Sequence, residues 1–192
     1  MDVVAVVVSS GLRSGPVTAN DLDALAGVPM VTRSVRGLVV SEVAQRVVVL
    51  CPAERRQDVA QALSGLPVSV LVPDDVPGAV WCPSPAAQPT ERPGRGEATP
   101  IVVVHDACRP LAPLSLVNEV VSAVAAGHPV AVPVLPCSDT VKRVSPDGLV
   151  VGTVDRSSLR VVQTPQAFRA DVADAVLRAI AAGVSPERAY TA

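Results

Sequence analysis

The stretch IVVVHDACRP, Ile101 to Pro110, decides how the rest of the chain is read. Four β-branched residues in a row, Ile101 to Val104, have no polar face and describe a short strand buried on both sides, as in the middle of a parallel sheet. The chain then turns polar at once. His105, Asp106 and Arg109 crowd the point where the strand would end, and Pro110 stops any continuation. Ligands of open α/β sheets bind just outside the carboxyl ends of strands, so a site is expected here. Spacing alone is equally compatible with Asp106 capping a turn and Arg109 pairing with it.

Working outward, the same alternation of buried strand and amphipathic helix recurs. Val3 to Val8 is a continuous Val-rich strand that ends in Ser9-Ser10-Gly11-Leu12-Arg13-Ser14-Gly15. Small residues directly after a strand let backbone amides approach a phosphate, and Arg13 would neutralise it; a plain surface loop with two glycines reads as well. Within the stretch 25 to 38, Pro29 stands at a helix start, with Val31, Val35 and Leu38 as the inward stripe. Val47 to Cys51 is a second strand, Pro52 to Ser64 a helix with Val59 and Leu63 inside and Gly65 as its stop, and Val68 to Val72 a third strand.

Further along, Pro113 to Ala126 is a helix with Leu116, Val117, Val120, Val121 and Val124 at core spacing, and Val130 to Val134 is a strand. Val141 to Val144 and Leu149 to Val154 flank Ser145-Pro146-Asp147-Gly148, whose Pro and Gly suit a type I turn, and read as a β-hairpin. Leu159 to Val162 is a strand and Gln163 to Gln166 a turn. Asp171 caps a last helix with Val172, Ala175, Val176, Ala179 and Ile180 inside and Gly183 beyond. The expected architecture is therefore α/β: a Rossmann-like, mostly parallel sheet with helices on both faces and a projecting β-hairpin.

With 192 residues, 49% of them apolar, the chain is expected to form a single domain with a full core. Between Pro73 and Pro100 the periodic pattern disappears: seven of the 19 prolines fall there, a loop that Trp81 would pin to the surface. Aromatic residues are only 2% and the net charge is −2, so there is neither a stacking platform nor a basic face for nucleic acid. The four cysteines, Cys51, Cys82, Cys108 and Cys137, show no C-x-x-C pair, which argues against zinc. No run reaches membrane-spanning length, and Asp2 with the short run Val3 to Val8 does not make a secretory signal. A soluble cytoplasmic protein with reduced thiols is expected.

Three segments in order, HDACRP at 105 to 110, VLPCSDTVKRV at 134 to 144 and GTVDRSSLRVVQTPQAF at 152 to 168, closely resemble the 2-C-methyl-D-erythritol 4-phosphate cytidylyltransferases of the non-mevalonate isoprenoid pathway. Any one of these motifs alone would be a weak signal; their joint occurrence is specific. The resemblance implies a nucleotide-diphospho-sugar-transferase-like fold. It further implies transfer of CMP from CTP, with Mg²⁺, to a polyol phosphate, and a homodimer embraced by the arm at about 139 to 156.

By the same resemblance, Ser10, Gly11 and Arg13 belong to the nucleotide-binding loop, with Arg13 stabilising the transition state. Asp106 and Arg109 lie at the substrate, Asp106 at the metal as well. Thr140 and Arg156 orient the acceptor phosphate from across the dimer. The sequence also departs from the family pattern. The loop after the first strand is about two residues shorter, Ala19-Asn20 stand where a Pro-Lys pair is expected, and the glycine-rich cytidine segment is not found in 73 to 100. The family's second lysine would fall past Ala192. Two alternatives thus accompany the main reading: a dimeric paralogue that binds with weak or no turnover, and a cytidylyltransferase for another polyol phosphate such as ribitol phosphate.

Overall fold

The structure, a computed structural model, describes residues 2–12, 20–72 and 100–181. Arg13, the proline-rich stretch 73–99 with Trp81, and the turn glycine expected at 183 lie outside the described residues. In chain order the elements begin with β1 (Val3–Val8), the short pair β2 (Ala24–Leu25) and β3 (Val28–Pro29), and α1 (Met30–Val40). Next come β4 (Arg46–Leu50), α2 (Arg56–Ala62), β5 (Val68–Leu71), β6 (Ile101–Asp106) and α3 (Leu114–Ala125). The remainder is β7 (Val130–Ala131), β8 (Val134–Pro136), β9 (Lys142–Val144), β10 (Val150–Thr153), β11 (Arg160–Val162), β12 (Gln166–Arg169) and α4 (Ala170–Ala181).

Six strands form one sheet in the order β5-β4-β1-β6-β12-β7. The β5-β4-β1-β6 half is parallel throughout, and β12 runs antiparallel to both its neighbours. The valine runs lack alternation because both faces are covered. Val3, Ala5 and Val7 of β1 pack with Val31, Val35 and Leu38 of α1 and with Val117, Val121 and Val124 of α3. Val4, Val6 and Val8 pack on the other face with Phe168 and with Ala173 and Val176 of α4. At about 1.5–3 kcal/mol for each large apolar side chain fully buried, this double layer dominates the stabilisation of the domain.

Helix limits follow the expected signals. Pro113, at φ −61° and ψ 138°, is the residue just ahead of α3, and Gly127 takes the left-handed φ of +108° that a helix stop favours. In the hairpin, the Gly148 N–H donates to the Ser145 carbonyl at 2.9 Å, closing the expected turn, and Gly148 itself has φ +86°.

Three expectations are corrected. The strand expected at 130 to 134 is split: β7 belongs to the main sheet and β8 pairs with β11 in a separate ribbon, because Pro133 has no N–H to continue a ladder. The turn expected to end at Gln166 ends earlier, and Gln166 opens β12, whose Phe168 is wholly buried. Asp171 does not cap α4 but lies in its first turn, with its carboxylate paired to Arg169 at 2.6 Å, and Ala173 rather than Ala175 is the buried alanine. Ala179 and Ile180 lie within α4, but nothing further is described of them.

Candidate functional site

The carboxyl ends of β1, β4 and β6 lie side by side, since Val8 is in register with both Leu50 and Asp106. Each strand hands its polar residues to this edge. After β1 the Leu12 N–H donates to the Ser9 carbonyl at 3.1 Å, forming a tight 3₁₀ turn at Ser10–Leu12 that carries Gly11. After β6 the Ala107 N–H donates to Val8 O at 3.0 Å, so the two strand ends stay joined one residue beyond the ladder.

His105 and Asp106, adjacent in sequence, go to opposite faces because side chains alternate along a strand. Asp106 shares the face of Val104 and Val8. Its Oδ1 accepts the Cys108 N–H at 2.9 Å, and its Oδ2 lies 3.8 Å from the Arg109 Nε. Arg109 also donates from Nη1 to Gln163 Oε1 at 2.9 Å. Both the turn-capping and the pairing readings of Asp106 are therefore realised, at the same edge where a ligand would sit.

His105 faces a cleft between α1 and α3, of about 20 Å³, that Ser34, Leu38, Arg109, Leu114 and Pro165 also line. Its Nδ1 stands 3.1 Å from the Thr164 hydroxyl, which also accepts the Asp106 N–H at 3.2 Å. Burial, helped by the Arg109 charge and opposed by a backbone hydrogen bond at Arg109, holds this imidazole down at about 4 against an ordinary 6.5. The unfolded chain thus binds a proton that the folded chain refuses between pH 6.5 and 4. Stability is expected to rise with pH across that window and to fall by ~3 kcal/mol when it is crossed in acid. Urea midpoints at pH 7 and pH 4.5 measure this, and His105→Gln is expected to flatten the difference.

A second cluster at the same edge joins residues the sequence reading left apart. The Arg55 guanidinium donates from Nη1 to Ser9 Oγ at 3.2 Å and Ser10 Oγ at 2.6 Å. From Nη2 it donates to Asn20 Oδ1 at 2.6 Å and Asp21 Oδ1 at 2.7 Å. The Ser10 hydroxyl donates in turn to Asp21 Oδ1 at 2.8 Å. Ser10 is 2% exposed and Asp21 wholly buried. The Ser10 side chain therefore works inward. Arg55 stands five residues past the end of β4, so the strand-end rule that picked out Asp106 would have found it; Asp21 carries no such mark.

Thr140 and Arg156 lie at the base of the hairpin. Arg156 donates from Nη1 to the Ser138 carbonyl at 2.5 Å, and the Val154 N–H donates to Val141 O at 2.9 Å, which brings the two segments bearing Thr140 and Arg156 together. Both residues are exposed. They belong to the hairpin unit, whereas Asp106 ends β6 of the main sheet and Arg109 lies in the turn just after it. Arg13 lies outside the described residues.

Among the described residues no helix is long and apolar enough to cross a membrane, and no three His, Cys, Asp or Glu side chains gather as a metal site. Cys51 is buried, which pushes its thiol pKa up.

Residues 1–190 match the family model for 2-C-methyl-D-erythritol 4-phosphate cytidylyltransferase. Proteins of that name from Nocardia farcinica and Saccharopolyspora erythraea are 40% and 42% identical, over 88% and 90% of this chain and 72% and 77% of theirs. The Frankia casuarinae relative is 39% identical over 90% of this chain, which spans 63% of that protein. Two solved structures share the fold. The 2-C-methyl-D-erythritol 4-phosphate cytidylyltransferase of Thermus thermophilus superposes with a TM-score of 0.65 at 23% identity, over 100% of this chain and 84% of its own. The 4-diphosphocytidyl-2C-methyl-D-erythritolsynthase of Anaerococcus prevotii gives 0.68 at 15% identity, over 99% and 83%.

Proposed function

This chain belongs to the 2-C-methyl-D-erythritol 4-phosphate cytidylyltransferase family, and from that premise we propose that it transfers CMP from CTP to 2-C-methyl-D-erythritol 4-phosphate. The observation that carries the reading is the edge itself: the Ser10–Gly11 turn after β1 beside Asp106 and Arg109 after β6, where an open α/β sheet takes its ligand. An oxygen of the acceptor phosphate attacks the α-phosphorus of CTP. The new P–O bond forms as the bond to the β-phosphate oxygen breaks, and pyrophosphate leaves. Such a transfer asks of the protein mainly positioning and charge neutralisation.

In this reading the backbone of Ser10 and Gly11 cradles the triphosphate and Arg13 stabilises the charge that develops on it. Arg109, steadied by Gln163 and Asp106, faces the substrate. The Asp106 carboxylate at the end of β6 is an oxygen donor of the kind a hard cation arriving on the triphosphate takes. Asp106 would hold that Mg²⁺, which neutralises phosphate charge when bound.

Thr140 and Arg156 orient the acceptor phosphate of the partner subunit's site, in a homodimer built through the hairpin. Support for the dimer comes from apolar surface. Val144, Leu149, Val150 and Val151 on the hairpin and Val134, Leu135 and Val161 on the adjoining ribbon are 45 to 65% exposed. A two-stranded hairpin is marginal in water unless something covers it.

One observation favours the second reading, a dimeric paralogue with weak turnover. Arg55, the cation after β4 that bridges the two ends of this loop, is matched by Asp21 and adds no net charge, so it does not replace the lysine that the family uses together with the loop arginine. Pyrophosphate release with CTP, Mg²⁺ and methylerythritol phosphate is therefore expected to run below about one turnover per second. Faster release removes the weak-paralogue reading. No release with retained CTP binding, measured by calorimetry, removes the enzyme reading, and preference for ribitol phosphate would reassign the acceptor.

A further inference from the structure

Asp106 and Arg109 close one turn, the Arg109 N–H donating to the Asp106 carbonyl at 3.0 Å, so their side chains start within easy reach of each other. At Nε the pair does not close: that nitrogen stays 3.8 Å from Asp106 Oδ2, beyond the ~3.2 Å reach of an N–H···O bond. The guanidinium is drawn instead to a residue 54 positions further along, where Gln163 Oε1 accepts from Nη1 at 2.9 Å.

Gln163 is itself held from several sides. Its Nε2 donates to the Val161 carbonyl at 3.2 Å and to the Val162 carbonyl at 2.9 Å. Its backbone N–H donates to Pro133 O at 2.8 Å, and its carbonyl accepts from Gln166 Nε2 at 3.0 Å. Carbonyls only accept and a guanidinium only donates, so half a turn of the Gln163 carboxamide would break all three of its side-chain bonds, and Oε1 has one direction open to it. Val161 and Val162 belong to β11, so that direction is set by the β8–β11 ribbon and not by the main sheet that carries Asp106.

We propose that Gln163 is a positioning residue that ties Arg109 to the end of this ribbon, keeps its guanidinium from folding onto Asp106, and so presents it to a substrate phosphate. The proposal rests on the reading that the β6 edge takes the substrates. Were Arg109 to fold onto Asp106, a charge-assisted bond would offset the positive charge that a phosphate needs. Gln163 is a neutral acceptor and leaves that charge in place, on a side chain that is 43% exposed and so within reach of a ligand. A long side chain already ordered also loses less freedom when the ligand arrives.

Gln163→Met keeps an unbranched side chain of similar length and removes both the oxygen and the N–H groups. The backbone bond to Pro133 and the bond from Gln166 remain, so the melting temperature is expected to fall by only a few degrees. Gln163→Asn, a methylene shorter toward Arg109 but still a carboxamide, repeats the comparison should Met lower it further. Calorimetric Kd values for CTP with Mg²⁺ and for methylerythritol phosphate, and KM values for both from pyrophosphate release, are compared among wild type, Gln163→Met, Arg109→Ala and the double variant. Gln163→Met is expected to weaken by roughly tenfold the binding of whichever substrate Arg109→Ala weakens, with a much smaller change in kcat, and to add nothing in the Arg109→Ala background. Loosening of the ribbon alone would add in full to the loss from Arg109→Ala. Such additivity overturns the proposal alone, as does unchanged binding in Gln163→Met beside a loss in Arg109→Ala. An Arg109→Ala protein that binds both substrates as wild type does overturns the placing of Arg109 at the substrate and this proposal with it, and a wild-type protein that binds neither overturns the reading of the edge itself.

Discussion

Mixing the Asp106→Ala and Arg156→Ala proteins and letting their subunits exchange is expected to restore about a quarter of the wild-type rate, although each variant alone is expected to lose ~10²–10³ in kcat/KM. Asp106 stands at the end of β6, 6% exposed, while Arg156 stands on the hairpin unit, held to the Ser138 carbonyl and open to solvent. In the proposed dimer embraced by its hairpins, each site would take Asp106 from one protomer and Arg156 from the other. Random exchange makes half of the dimers mixed, and each mixed dimer has one site with both residues intact and one with neither. Rates measured by pyrophosphate release before and after exchange decide it. Exchange confirmed by light scattering with tagged subunits, but with no recovery, would mean that Arg156 serves its own chain and that the exposed valines of the hairpin need another explanation.

Asp21→Ala is expected to cost about 3 kcal/mol of stability, far more than a polar-to-alanine change on the surface. The carboxylate is wholly buried and receives both Arg55 Nη2 at 2.7 Å and the Ser10 hydroxyl at 2.8 Å. Removing it strands a guanidinium whose side chain is only 19% exposed. Breaking a buried pair in this way typically costs ~3–5 kcal/mol, and the remaining exposure of Arg55 puts this case at the lower end. Replacing both partners by apolar residues of similar volume removes the stranded charge. The double variant Asp21→Leu with Arg55→Met is therefore expected to be more stable than Asp21→Ala. Urea unfolding of the three proteins measures this directly. Equal stability of Asp21→Ala and wild type would show that the Arg55 cluster does not hold the loop ends together.

The two clusters differ in how far the sequence exposes them. Asp106 and Arg109 follow four apolar residues without a break, so the abrupt change of polarity marks a strand end, and strand ends are where such sheets bind ligands. Arg55 has the same mark in weaker form, five residues beyond β4. Asp21 has none, because its partners lie 11 and 34 residues away and only chain folding brings them to it. The same reason hid β12. Its four residues, QAFR, carry no alternation long enough to read, and their strand conformation is imposed by lying between β6 and β7.

What the sequence determined by itself is what local chemistry enforces. β-branched runs without a polar face require burial on both sides, inward stripes at helical spacing require a sheet to cover, and Ser-Pro-Asp-Gly closes a hairpin wherever it stands. What only the tertiary structure decided is which polar groups meet. Strand pleating sends His105 under α1 and α3 and Asp106 to the opposite face, and the β1–β4 pairing brings Arg55 to Ser10, Asn20 and Asp21. Hydrogen bonds and ion pairs act over about 3 Å, so they depend on register and crossing connections, which no short stretch of residues specifies.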